Sequence, residues 1–458
     1  MIDCKENMPE QAEYDRERAI ALIKKSKESK PTFDEIEILI RRGSSFVAAG
    51  SSQNAPDLID DSFTLDIVLG LIINHRYVSL RLPNLSFDAL KYSLRRGEEL
   101  LSNVEKDPCV GLGNLDDMRE FSPQESAALK IYDPDRIKLS EAIEILKDNI
   151  DKPLQLDKQI KSVDRFALES QKDSLVRANS LGISLVELES LYSISLETIG
   201  SAGDEEMVIG GDYSLARNFH QLKLPKDIVK VGVEQTLKKL GAKRIKSMKT
   251  KVIFKPHVAR NILKHFTSLI DGDLLYRSIS CLKGKIGERI FPEGLKIWED
   301  PHIPGGLGSS LFDSDFMPTR KNCFVKNGVL ISYAIDVYSG RRLGLEPTGN
   351  ASGVHNLSIQ KGSERLNYRD LVSKMRNGII VDEIIGNGLD PATGNYSVGA
   401  AGFLVKDGEI VYPIHEFALA ANLLDLFQSI ESIGSDIDLR SNFRTGSILC
   451  SEISLAGD

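Results

Sequence analysis

KVIFKPHVARNILKHFTSLIDGD, residues 251–273, is the stretch on which the reading of the fold turns. Val252, Ile253 and Phe254 form a short apolar run that reads as a strand. Pro256 suits a first helical turn, and Val258, Ile262, Phe266, Leu269 and Ile270 recur at helical spacing, so a strand should run directly into a helix. Such a helix is the place for a zinc-protease pair, in which two histidines one turn apart hold the ion and a glutamate beside the first activates its water. Here Phe266 follows His265 and Leu269 occupies the next turn. His257 and His265 are eight positions apart, roughly 12 Å along a helix axis, too far for one ion. Asp271 and Asp273 read as a turn in which Asp accepts backbone bonds.

Working outward, the flanking sequence supplies both helices and strands. Residues 13–27 make a charged amphipathic helix with Ala19, Ile20, Leu22 and Ile23 on one side. Ile36, Ile38 and Ile40 alternate with charged residues, the period-2 signature of a half-buried strand. The segment 63–82 supplies further strands, and 87–101 returns to helical spacing. Turn-rich connectors (DPCVGLGNLDD, KIYDPDR) lead to a helix over 140–148 with Ser140 as its N-cap, then to alternating strand patterns over 160–205 and a helix over 225–240. On the C-terminal side, Asn327 with Gly328 and Asp407 with Gly408 each separate two apolar runs and predict β-hairpins. Leu423, Leu426, Phe427 and Ile430 predict a helix closed by Gly434, and GSILCSEIS a terminal strand. The pattern is α+β in two domains: residues 1–225, helices with an antiparallel sheet, and 226–458, glycine-rich and dominated by strands.

The chain has 458 residues, and its 66 acidic against 58 basic side chains give a net charge of -8. That balance argues against nucleic acid or anionic membrane as a partner. Seven basic residues between Lys238 and Lys251 have no interleaved aromatics and read as a solvated connector. The longest apolar runs, such as 67–73, fall far short of the ~20 residues that span a bilayer, and the polar N-terminus does not read as a signal peptide; a cytoplasmic protein is expected. Cys4, Cys109, Cys281, Cys323 and Cys450 lie far apart without a CxxC pair and read as structural thiols. Neither a GxSxG elbow nor a GxxxxGK[ST] loop is present. Gly305, Gly306 and Gly308 follow His302 without a helix behind them and read as a loop.

From residue 300 onward, FDSDFMPT (312–319), TGNASGVHN (348–356), DEIIGNG (382–388), TGNYSVGAAGF (393–403), Tyr412 with Pro413, and RSNFRTG (440–446) occur in an order that resembles the TldD/PmbA family, specifically its PmbA (TldE) branch. KSMKTKVIF (246–254), IYDP (131–134) and DPCVGL (107–112) extend the likeness upstream. The resemblance implies a two-domain α+β protein related to heterodimeric zinc proteases. In these the TldD chain carries HExxxH and a later cysteine, and the PmbA-like chain completes a cavity for unfolded peptide. The family also carries an older label, modulator of DNA gyrase. This chain departs from the catalytic pattern, because neither Lys264 nor His265 is followed by the required glutamate and histidine, and SDIDLRSNF after Gly434 has no cysteine. No catalytic or metal residue is therefore assigned, and zinc is expected only in a TldD-like partner.

The glycines of the matching blocks, with Gly349, Gly353, Gly399 and Gly402 foremost, permit close backbone approach and suit a surface that binds extended peptide; His355 and Asn356 join them as cavity candidates. Three readings follow. The first is a non-catalytic PmbA-like subunit of a TldD-type metalloprotease. The second is a homo-oligomeric peptide-binding protein. The third is a metallopeptidase whose His302, His355 and His415 converge on an unconventional site.

Overall fold

A computed structural model describes residues 7–30, 32–135, 137–203 and 207–457. Cys4 and Arg136 of the second turn-rich connector lie outside the described residues. The chain is α+β. Its first sheet contains β1 (Glu35–Gly50), β2 (Leu58–Ile73), β3 (Arg76–Arg81), β4 (Ile160–Asn179), β5 (Ser184–Ser201) and β6 (Met207–Ala216) in the order β3-β2-β1-β4-β5-β6. Every neighbouring pair is antiparallel. Alternation explains the register: Ile36, Ile38 and Ile40 are buried together against helices α1 (Met8–Ser29) and α2 (Phe87–Leu101). Helix α1 contributes Ala19, Leu22 and Ile23 to this core. Ile20, expected on the same side, is 45% exposed, because it lies off the stripe that faces the sheet. Beneath α1, Asp15 is fully buried and held by the Arg42 guanidinium, one of whose bonds to it is 2.9 Å.

Short helices α3 (Pro123–Ala128), α4 (Leu139–Asn149) and α5 (Lys152–Leu156) fill the connection between β3 and β4. Helix α4 starts one residue before the expected N-cap. The Glu141 carboxylate reaches back to accept from Lys138 N–H at 3.1 Å, which makes Lys138 the cap and leaves Ser140 within the helix. Helix α6 (Pro225–Leu237) packs on β5 and β6, where Thr236 Oγ1 lies 2.6 Å from Thr198 Oγ1. Gly210 makes this approach possible, since a Cβ there would stand 2.6 Å from Thr236 Cα.

The remaining chain contains β7 (Met248–Phe254), α7 (Pro256–Leu269), α8 (Gly272–Tyr276), β8 (Leu295–Glu299), β9 (Asn322–Lys326), β10 (Val329–Leu330), α9 (Val337–Leu343), β11 (Leu357–Lys361), α10 (Tyr368–Met375), β12 (Gly378–Ile385), β13 (Asn395–Lys406), β14 (Glu409–Asn422), α11 (Leu423–Gln428), β15 (Ile430–Ile433), β16 (Phe443–Arg444) and β17 (Ile448–Ala456). One sheet runs β10-β9-β8-β11-β16. The other runs β14-β13-β12-β7-β17-β15 and closes on itself where β14 pairs with β17. Both expected hairpins form, with positive φ at Asn327, Gly328, Asp407 and Gly408 as a two-residue turn of type I′ requires. Helix α11 is shorter than its apolar spacing suggests. Ile430 leaves it to pair with Cys450 of β17, so sheet formation overrides the helical period.

The opening stretch forms β7 and α7 as read. Val258, Ile262, Phe266, Leu269 and Ile270 are buried in the largest apolar core. The Phe266 ring packs edge-on against Phe291 at 5.4 Å and Phe427 at 5.9 Å.

Candidate functional site

Gly349, Gly353, His355 and Asn356 all fall in the loop between α9 and β11, where φ of +78° at Gly349 and +88° at Gly353 requires glycine. The loop wraps around Glu299 at the end of β8, a fully buried carboxylate. Its oxygens accept from Asn322 Nδ2 at 2.6 Å, Asn350 Nδ2 at 2.8 Å and the His355 backbone N–H at 2.7 Å. The two blocks 312–319 and 348–356 fold against each other here. Asp313 accepts from the N–H groups of Asp315, Met317 and Ala351 at 2.9–3.0 Å. Asn356 accepts from Gly308 N–H at 3.0 Å and donates to Asp300 O and Ser309 Oγ. His355 and Asn356 are thus buried and bonded to the protein's own groups, which makes them builders of this loop.

The other two glycines lie elsewhere, on β13. A Cβ at Gly402 would stand 1.8 Å from Ile380 O, so the residue permits tight strand contact. Gly399 has more room, its nearest neighbour being Ile385. Each lines one of two adjoining depressions that share Glu383, Ala401, His415 and Glu416. Exposed Met207, Ile209 and Ile385 border this face.

The histidines do not form a metal centre. The two ring nitrogens of His355 stand 3.2 Å from Gly308 O and 3.1 Å from Gly349 O. His302 Nε2 lies 3.1 Å from Thr319 Oγ1, and burial pushes its pKa down. His415 belongs to β14 and faces Glu416. The alternative in which the three converge on a metal is not met: His302 and His355 are near enough to interact, but each bonds protein groups and His415 belongs to a separate face. Among the described residues no three His, Cys, Asp or Glu side chains are arranged to hold a metal ion. On α7, His265 packs against the Tyr396 ring at 5.1 Å, with its pKa lowered by burial and by Lys264, while His257 Nε2 turns away to Asp382 O at 2.6 Å. Asp271 caps α8 by accepting from Asp273 N–H, which is the turn role read from sequence. Gly305, Gly306 and Gly308 donate their N–H groups to Leu129 O, Ile303 O and Asn356 Oδ1, leaving no anion cradle there.

One feature had no sequence signal. A cavity of about 600 Å³ lies where β5 meets α1, the segment 120–132 and the loop at 311–312. Glu187 lines it, with one carboxylate oxygen bonded to Ser310 Oγ at 2.5 Å; desolvation pushes its pKa up to about 7. Nearby Asp315, again through burial, is raised to about 7.

Comparison with known proteins places these features. The description PmbA/TldA metallopeptidase C-terminal domain matches residues 247–457, and PmbA/TldA metallopeptidase central domain matches 132–240. The chain is 32% identical over 398 residues to Metalloprotease PmbA of Escherichia coli O157:H7, covering 86% of this chain and 87% of that one. It belongs to the PmbA/TldD family. A PmbA homologue of Haemophilus influenzae is 31% identical over the same length, again covering 86% and 87% of the two chains. The fold is shared with a Bacteroides thetaiotaomicron protein named for modulation of DNA gyrase (TM-score 0.89, 23% identity, 97% and 99% covered). It is also shared with TldE of Thermococcus kodakarensis (TM-score 0.82, 22% identity, 96% and 100% covered). Residues 312–319 and 348–356, which build the Glu299 and Asp313 networks, both fall within the matched C-terminal domain. No helix among the described residues is long and apolar enough to cross a membrane.

Proposed function

We propose that this chain is the non-catalytic, PmbA-like subunit of a TldD-type zinc metalloprotease that acts on unfolded peptides in the cytoplasm. The observation that carries the reading is helix α7. The position after His265 is Phe266, fully buried between Phe291 and Phe427, and Leu269 in the next turn is fully buried as well. The helix therefore presents neither the carboxylate nor the second imidazole that zinc hydrolysis needs, and the residues present do not fit a resident zinc ion. The ion and the hydrolytic step belong to a TldD-like partner. The face bordered by Met207, Ile209 and Ile385 suits that partner, since grouped exposed apolar side chains mark protein contacts, and Gly399 adds no side chain to it.

Metal analysis of the purified chain, beside a peptide-cleavage assay with and without a TldD-like subunit, tests the assignment. The chain alone should hold no stoichiometric zinc and cleave nothing, with hydrolysis appearing on addition of the partner. Stoichiometric zinc together with proteolysis by the chain alone would sink it. The same apolar face supports a second reading, a homo-oligomeric peptide-binding protein. Recovery of only self-associated chain from the native cell would favour that one.

A further inference from the structure

The first sheet leaves part of one strand without a neighbour. Strand β5 pairs with β4 along its length, but β6 covers it only from Tyr192 to Ser201. Below that point Ser190 N–H donates to Ile131 O at 2.9 Å, and Ser184 N–H donates to the Glu120 carboxylate at 2.9 Å. Strand alternation puts the main-chain groups of Val186 and Leu188 on this same edge. Among the described residues they have no backbone partner there. The two closures, at Ser184 and Ser190, stand about 20 Å apart along the strand, room for four or five extended residues between them. The 600 Å³ cavity lies along it.

The walls of the cavity match the two faces of an added strand. On one side Val186 and Leu188 pack toward the α1 core, with Glu13 and Arg16 of α1 at the rim. On the other side Leu185 packs with Leu129, Leu311 and Phe312, and Glu187, on the same face of β5, reaches Ser310. Charges in the cavity are mostly matched. Arg16 bonds Glu13 and Ser184 Oγ, Arg217 bonds Glu189, and Lys130 stands on the wall; Glu187 bonds the Ser310 hydroxyl and feels Arg217, Arg177 and Glu189 electrostatically without a direct ion pair to either guanidinium.

We infer that this cavity is a peptide-binding site, in which an extended segment adds to the β5 edge through Val186 and Leu188 and sets a lysine or arginine side chain, flanked by apolar ones, against Glu187. Main-chain bonds would supply affinity independent of sequence, and the alternate wall would supply the preference. The raised pKa of Glu187 accords with this, because a desolvated carboxylate ionises readily once a cation is laid beside it. The site is separate from the family face above and acts in this chain alone, so its failure would leave the partner assignment standing.

The test is fluorescence anisotropy on the full-length, isolated chain. The probe is a labelled seven-residue peptide with leucine, lysine and leucine at positions two, four and six and threonine elsewhere. Saturable binding is expected, weakened about tenfold when glutamate replaces the lysine. Of two forms N-methylated at even or at odd positions only one should bind, because alternate amides face the protein. Glu187→Gln should remove the preference for lysine and the strengthening of binding between pH 6 and pH 8. Ala127→Trp, at an exposed position on the cavity wall, should block binding with thermal unfolding unchanged. Absence of saturable binding by the lysine peptide, or equal binding of the two N-methylated forms, would overturn the inference; should Ala127→Trp fail to fold, the peptide pair still decides.

Discussion

Helix α7 and the lower edge of β5 stand at opposite extremes of how this chain treats surface that could serve chemistry. The inner face of α7 is filled, with aromatic rings closing over Phe266, and in the same half of the chain the 348–356 loop commits its polar atoms to Glu299. Along β5 the ladder stops short, and the edge main-chain groups of Val186 and Leu188 have no backbone partner among the described residues. The difference teaches that resemblance at the level of motifs marks the scaffold of this chain, whereas capacity for a ligand appears where the scaffold is incomplete. The most severe way to break the filled region is Glu299→Ala. It removes three hydrogen bonds to a buried carboxylate and strands the His355 N–H, while Asn322 and Asn350 keep Thr348 O and Gly353 O; a loss of about 3–5 kcal/mol is expected in urea unfolding. A loss below about 1 kcal/mol would mean that the loop repacks and is not held by this carboxylate.

Close in size is Phe266→Ala, which removes a ring from the stack with Phe291 and Phe427. A destabilisation of about 3–5 kcal/mol is expected, with the far-ultraviolet spectrum kept at low temperature. If the variant were as stable as the parent, α7 would not be a packed structural helix.

Why one region was legible in the sequence and the other was not follows from the range of the interactions. The β7–α7 pair announces itself through apolar spacing within twenty residues, and the two hairpins through Asn327 with Gly328 and Asp407 with Gly408, because both signals are local. Ile430 shows where locality fails: its spacing continues a helix, yet a distant partner, Cys450, takes it into a sheet. The glycines were visible as residues needing unusual backbone, but nothing in the sequence separates Gly349, which shapes the Glu299 loop, from Gly399, which lines an open face. The vacancy beside β5 is legible to no local rule. It exists because β6 ends at Ala216, opposite Tyr192, while the segment 120–132 closes only the two ends of the gap.

The smallest expected effect, and the one that tells apart filled and open regions by charge, is the pH dependence of Asp315→Asn. Asp315 sits where the 312–319 block meets the N-terminus of α9 and Arg177 of β4, accepts from Val337 N–H at 2.8 Å, and is raised from 3.8 to about 7, first by desolvation and then by Asp313, Asp336 and Glu37. A carboxyl whose folded pKa exceeds its unfolded one binds its proton more tightly in the native state, so it lowers stability progressively as pH rises from about 4 to 7. Asparagine keeps an acceptor for Val337 and cannot ionise. Relative to the parent, the variant should therefore gain stability between pH 5 and pH 8, by on the order of 1 kcal/mol once solvent screening is allowed for. Paired urea titrations at the two pH values measure the gain directly. A parent and variant that change in parallel would show that Asp315 is ionised across this range, which would make the junction between the first sheet and the 312–319 block as well solvated as an open surface and erase the contrast with the dry core around α7.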